Sequence, residues 1–185
     1  MTQDPSPAGA VDRIGTEDGV VAGAPLSQQP PLLAQLPGSP ASFEFDGSSA
    51  VLIGDNPLIN TTNRAERTVE LWFEPTSVAG RQLLYEEGGT VNGLNIYLDG
   101  GRLYGRAWGQ STGWSNPLAV STGAGAIVPG QRYHVAVVLD AVGDRSVELY
   151  LNGGLVGTST KTDSGIWNAH SDDGAIARVN GGTQY

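Results

Sequence analysis

The stretch QRYHVAVVLDAVGDRSVELYLNG (residues 131–153) decides the fold. From Tyr133 to Leu139 nearly every residue is β-branched, aromatic or aliphatic, a composition suited to a pleated, at least half-buried surface. Residues 141–145 break the run with glycine and aspartate. Val147, Leu149 and Leu151 then fall on one face of a second strand, with Glu148 and Tyr150 on the other. Asn152-Gly153 closes the segment, a dipeptide suited to a tight turn because both residues tolerate positive φ. The sequence therefore predicts a long antiparallel hairpin, with the remainder of the chain packed against it.

Outward from this hairpin, short apolar runs recur at the rhythm of a sandwich or barrel. Upstream they are 42–45, 50–53, 68–73, 82–85, 94–98 and 102–108; downstream they are 155–159 and 175–179. Asp46-Gly47, Asp55-Asn56-Pro57 and Asp99-Gly100-Gly101 supply turns between them. Residues 118–128 are small and glycine-rich and favour no element. No stretch has a helical period of useful length, and no internal repeat is present. Residues 1–10 (MTQDPSPAGA) read as a flexible segment. Residues 11–40 read as an irregular lead-in, with Val20-Val21 as an edge strand and 28–40 as an extended, proline-punctuated arm. The domain proper is expected over 11–185.

The 185 residues suffice for one domain with a sizeable core. Glycine contributes 27 residues with no Gly-X-Y period, which fits many turns. The formal charge of −9 and the scattered Lys and Arg argue against a phosphate-backbone partner. The absence of cysteine rules out disulfides and thiolate metal sites. No apolar run approaches the ~20 residues needed to cross a bilayer as a helix, and the first residues lack the pattern of a signal peptide.

The runs FEFDGSSAVLI (43–53), RTVELWFEP (67–75), GLNIYLDGGRL (93–103), QRYHVAVVLD (131–140) and VELYLNGGLVG (147–157) together resemble the laminin-G-like members of the concanavalin A-like lectin/glucanase superfamily. The resemblance covers roughly residues 40–180. It implies an all-β fold, a concanavalin A-like jelly-roll β-sandwich of two antiparallel sheets. It implies less about function, because that fold hosts glycan binders, adhesion modules, hydrolases and spacers. Family members continue with a final strand of the type F-x-G-x-I-D-E-V, whereas this chain ends GGTQY. That departure leaves three expectations open: a cut domain, a dispensed strand, or a slot filled by another chain.

Glu70 and Glu74 invite a glycosidase reading by the same resemblance, since glucanases of the superfamily carry E-x-D-x-x-E on a strand. Here Trp72 stands where that motif has aspartate. Positions four apart on a strand are about 13 Å apart, against the about 5 to 5.5 Å that a retaining pair requires. Two solvent-facing carboxylates are the better reading, and no catalytic residue is assigned. His134 is expected to pack in the hairpin and His170 to be a solvated loop residue. No P-loop, dinucleotide or H-E-x-x-H pattern occurs.

Calcium is the one cofactor the sequence could accommodate, because sandwich loops supply oxygen ligands. The candidates are Asp12, Asp18, Asp46 and Asp172, together with Asp55 and Asp173. The expected function is a non-catalytic binding or adhesion module for a glycan or protein surface. Its ligand would meet Tyr104, Trp108, Gln110, Trp114, Asn116 and Trp167, because aromatic rings cover the apolar face of a pyranose. Capping of a sheet edge is the competing role for Trp114 and Trp167, and Trp72, between Leu71 and Phe73, is expected in the core. The competing function is a structural assembly module that self-associates through its sheet edges and N-terminal arm. Either reading places the protein outside a cell or on a cell or particle surface, with neither nucleic acid nor membrane insertion.

Overall fold

In the computed structural model the described residues are 9–11, 18–23, 27–39, 41–109, 113, 115–162 and 167–179. Fourteen strands are formed among them, and no helix. The first five are β1 (Gly9–Ala10), β2 (Gly19–Gly23), β3 (Ser27–Gln29), β4 (Ser42–Glu44) and β5 (Ser49–Ile53). Then come β6 (Glu66–Phe73), β7 (Arg81–Gly88), β8 (Gly93–Asp99), β9 (Arg102–Trp108) and β10 (Leu118–Ser121). The last four are β11 (Tyr133–Asp140), β12 (Arg145–Leu151), β13 (Gly154–Lys161) and β14 (Gly174–Ile176).

An eight-stranded sheet runs β1-β2-β5-β14-β7-β8-β9-β10, and a four-stranded sheet runs β13-β12-β11-β6. β3 and β4 form a separate pair. Every ladder is antiparallel. The 131–153 hairpin is β11 and β12, with Val137 opposite Leu149 and Leu139 opposite Val147. Asn152 and Gly153 both take positive φ, 51° and 80°.

Period-2 alternation decides which side chains enter the core. Val135, Val137, Val147 and Leu149 of the small sheet are fully buried against Ile96, Leu98 and Leu103 of the large one. The sheets meet closely at Gly105, where a Cβ would lie 2.8 Å from Val137 Cγ2.

Two expectations about the lead-in are corrected. Gly9 and Ala10, the described part of the segment expected to be flexible, pair with Val20 and Gly19 at the edge of the large sheet. β2 is therefore internal, between β1 and β5. Beyond β3 the chain folds into turns, Leu36 N–H donating to the Leu33 carbonyl and Ser39 N–H to that of Leu36, rather than running extended.

Candidate functional site

The outward face of the small sheet carries the residues that alternate with the core. On β6 these are Glu66, Thr68, Glu70 and Trp72, and on β11 His134, Ala136, Val138 and Asp140. Ser146, Glu148 and Tyr150 follow on β12, then Leu155, Thr158 and Thr160 across from Tyr150, Glu148 and Ser146 on β13. Trp72 is 45% exposed, because Leu71 and Phe73 on either side of it take the inward positions. This corrects the expectation that Trp72 is a core residue. Its ring leans on that of His134, with centroids 4.9 Å apart and planes tilted by 39°.

His134 also differs from expectation, facing outward rather than filling the hairpin. Its Nε2 lies 3.2 Å from Glu70 Oε2, and its backbone N–H donates to Asn152 Oδ1 at 2.9 Å. The tight turn at Asn152 thus holds the strand that supports Trp72. Tyr150 Oη donates to Glu148 Oε2 at 2.6 Å, which raises the Tyr150 pKa. Leu155, more than half exposed, completes the apolar part of the face. Glu70 and Glu74 are exposed as expected, the latter bridged to Arg132 at 3.3 Å.

The expected tryptophan contacts divide differently. Trp108 is 1% exposed, which removes it as a stacking surface. Gly93 leaves the space it occupies, since a Cβ there would meet the ring at 2.6 Å, and its Nε1–H donates to the Gly89 carbonyl at 2.8 Å. Trp167 is likewise buried, tied to Arg64 by paired backbone hydrogen bonds, with the Arg145 guanidinium 5.5 Å from its ring centre. Its Nε1–H has no acceptor among the described residues. Gln110, Trp114 and Asp12 lie outside the described residues. Asn116 is exposed beside that segment. Tyr104 is half-buried on the outward face of the large sheet, its ring stacked on Tyr97 at 4.7 Å. Among the described residues, Tyr104, Trp108, Asn116 and Trp167 therefore do not form one exposed site.

A cavity of about 20 Å³ beside Trp108 and Trp167 has room for about one water molecule and none for a sugar. Its polar wall is a built network. Arg67 holds Glu87 through both carboxylate oxygens, and Tyr85 Oη donates to Glu87 Oε2 at 2.7 Å. His170 closes the group with Nε2 3.7 Å from Glu87 Oε1, a longer contact than a hydrogen bond. Its side chain is 7% exposed, not solvated as expected. Burial pushes the Glu87 carboxyl up, but facing His170 and the bidentate Arg67 outweigh it, so its pKa is lowered. Burial first, and then the Glu87 charge, push Tyr85 well above the tyrosine range. Glu87 is therefore an ionised, fully occupied structural group.

Among the described residues, no three histidine or acidic side chains converge on a metal position. Asp46 instead accepts from the Ser48 N–H and hydroxyl, which lowers its pKa. Asp18 is exposed and has partners of its own, while the Asp172 carbonyl accepts from Asn60 Nδ2.

A family model described as the concanavalin A-like lectin/glucanases superfamily matches residues 45–185, most of the chain. The chain belongs to this superfamily. No curated protein matches it in sequence. Among solved structures, this superfamily member is similar to the binding domain of paraclostridial mosquitocidal protein 1, with TM-score 0.67 and 13% identity over 94% of this chain and 44% of that one. It is also similar to botulinum neurotoxin type C, which depends on interaction with two ganglioside molecules to enter cells (TM-score 0.60, 12% identity, 94% of this chain and 42% of that one). A third is the binding domain of botulinum neurotoxin DC in complex with SialylT (TM-score 0.61, 12% identity, 92% and 42%). At these identities the likeness is one of fold, and the chain spans less than half the length of each.

Proposed function

We propose that this superfamily member is a non-catalytic module that binds a glycan or protein surface through the outward face of the β13-β12-β11-β6 sheet. The observation that carries this reading is Trp72, a large ring 45% exposed on an eight-residue strand, braced by His134 and flanked by the Glu70 carboxylate. An exposed indole on a fixed scaffold loses little conformational freedom when it contacts a partner. The similar solved structures include binding domains, which supports the same class of function. A surface or extracellular setting belongs to this reading.

Catalysis has less support. Glu70 and Glu74 are engaged with His134 and Arg132. An assay on β-glucan with Glu70→Gln as control tests the point, and turnover abolished by that change would restore the enzyme reading.

The binding reading is tested by screening the chain and its Trp72→Ala variant on glycan and peptide arrays. Signal for the wild type that the variant loses is expected. Signal unchanged in the variant, or none on either array, would overturn it.

One observation favours self-association as a second reading. β6, eight residues long, is hydrogen-bonded on one side only among the described residues, and such an edge is a template for strand addition. Light scattering across a concentration series separates the two readings, and a strict monomer argues against assembly.

A further inference from the structure

The outward face of the small sheet is electrostatically one-sided. Glu66, Glu70, Asp140 and Glu148 all occupy outward positions on β6, β11 and β12, whereas no Lys or Arg does so on any of the four strands. Arg132, just before β11, is bridged to Glu74. Lys161 is opposite Arg145, on the inward register. His134 is thus the only basic side chain among the outward positions of these strands.

Two of the acids are placed against each other. Asp140 is directly opposite Glu66 across the β11–β6 ladder. Like charges so placed destabilise a sheet. Val138 and Glu148 are cross-strand neighbours one row on, then Ala136 with Glu70, then His134 with Trp72. Each row thus presents a carboxylate or the indole. Rows on a sheet face repeat at roughly 6.8 Å, the spacing of alternate side chains in an extended peptide.

We infer that this face docks an extended protein segment bearing Lys or Arg at alternate positions. One cationic side chain would bridge Glu66 and Asp140, the second would meet Glu148, the third Glu70, and the fourth would lie over the Trp72 ring as a cation–π contact. The inference rests on the binding reading above and narrows its ligand from any surface to a basic protein segment. The occupant is chosen by charge complementarity: a cation relieves the Glu66–Asp140 repulsion, whereas a neutral glycan leaves it and an acidic one adds to it.

The test uses fluorescence or calorimetric titration of the full chain with a peptide alternating Arg and Ser, its Glu-Ser counterpart, and a neutral oligosaccharide. Titrations are run at low and physiological salt. Binding of the Arg-Ser peptide alone is expected, weakened about tenfold or more by the added salt, since exposed charges are screened beyond roughly 8 to 10 Å. The Glu66→Gln/Asp140→Asn variant should bind the peptide at least tenfold more weakly and lose most of the salt dependence. Its melting temperature should rise by roughly 1 to 3 °C, which separates lost binding from lost folding. Salt-insensitive binding of the oligosaccharide that Trp72→Ala abolishes would overturn the basic-segment inference and leave the binding reading standing. Binding of no probe, on this face or on the arrays, would overturn both.

Discussion

Replacing Arg67 with methionine should be among the most damaging single changes in this chain. The Glu87 side chain is 3% exposed and that of Arg67 17%, and the guanidinium covers both carboxylate oxygens. Removing one partner of a buried ion pair leaves the other charge without compensation, at a cost of about 3 to 5 kcal/mol. Tyr85 still donates to Glu87 at 2.7 Å. That retained charge-assisted bond places the expected loss near the lower end, about 3 kcal/mol. For a chain of this length the melting temperature would fall by roughly 6 to 12 °C. Urea unfolding at pH 7, followed by near-ultraviolet circular dichroism, reads the loss directly. The Arg67→Met/Glu87→Gln double variant should be more stable than the single one, because the stranded charge is gone while Tyr85 keeps an acceptor. A loss under about 1 kcal/mol in Arg67→Met would refute the assignment of Glu87 as a buried ionised group. So would strict additivity in the double variant.

The same network sets the acid limit. The folded-state pKa of Glu87 lies below its unfolded value, so its contribution is complete above the unfolded carboxyl range near about 4.3 and is lost as pH falls through the folded value. Stability should therefore drop below about pH 4.5, and the double variant should lack that component of the drop. Gly105→Ala would bring a methyl 2.8 Å from Val137 Cγ2 and 3.3 Å from Leu149 Cδ1; thermal melting should show a cost of about 1 to 3 kcal/mol. Asn152→Ala puts alanine at φ 51° and removes the acceptor for His134 N–H. It should cost about 2 kcal/mol by urea melt and loosen the His134 brace under Trp72, while Asn152→Gly should cost less because glycine relieves the φ strain.

Much of this architecture is written in local pattern. The 131–153 hairpin forms where alternation and Asn-Gly place it, and β6 through β9 follow the apolar runs because each run carries its own turn signal. The exposure of Trp72 was legible too. Val69, Leu71 and Phe73 alternate with Thr68, Glu70 and Trp72, so a strand that buries the first set must present the second. Reading Trp72 by its hydrophobic neighbours instead of by its parity conceals this.

Trp108 could not be read in the same way. Its burial depends on Gly93 across the ladder and on the Gly89 carbonyl, contacts set by pairing and not by its own neighbours. His170 meets Glu87 only because β14 pairs with β7 and brings the preceding loop over the end of that strand. The carboxylate face likewise draws on residues from three strands whose register no single segment announces.

The decisive question is where the ligand lands. With any ligand found on the arrays, two-dimensional nitrogen–proton spectra of the labelled chain during titration answer it directly. The Trp72 indole N–H signal and the amides of His134, Tyr150 and Leu155 should move together. Shifts confined to Tyr104, Tyr97 and the segment around Asn116, with the Trp72 signal unmoved, would contradict it.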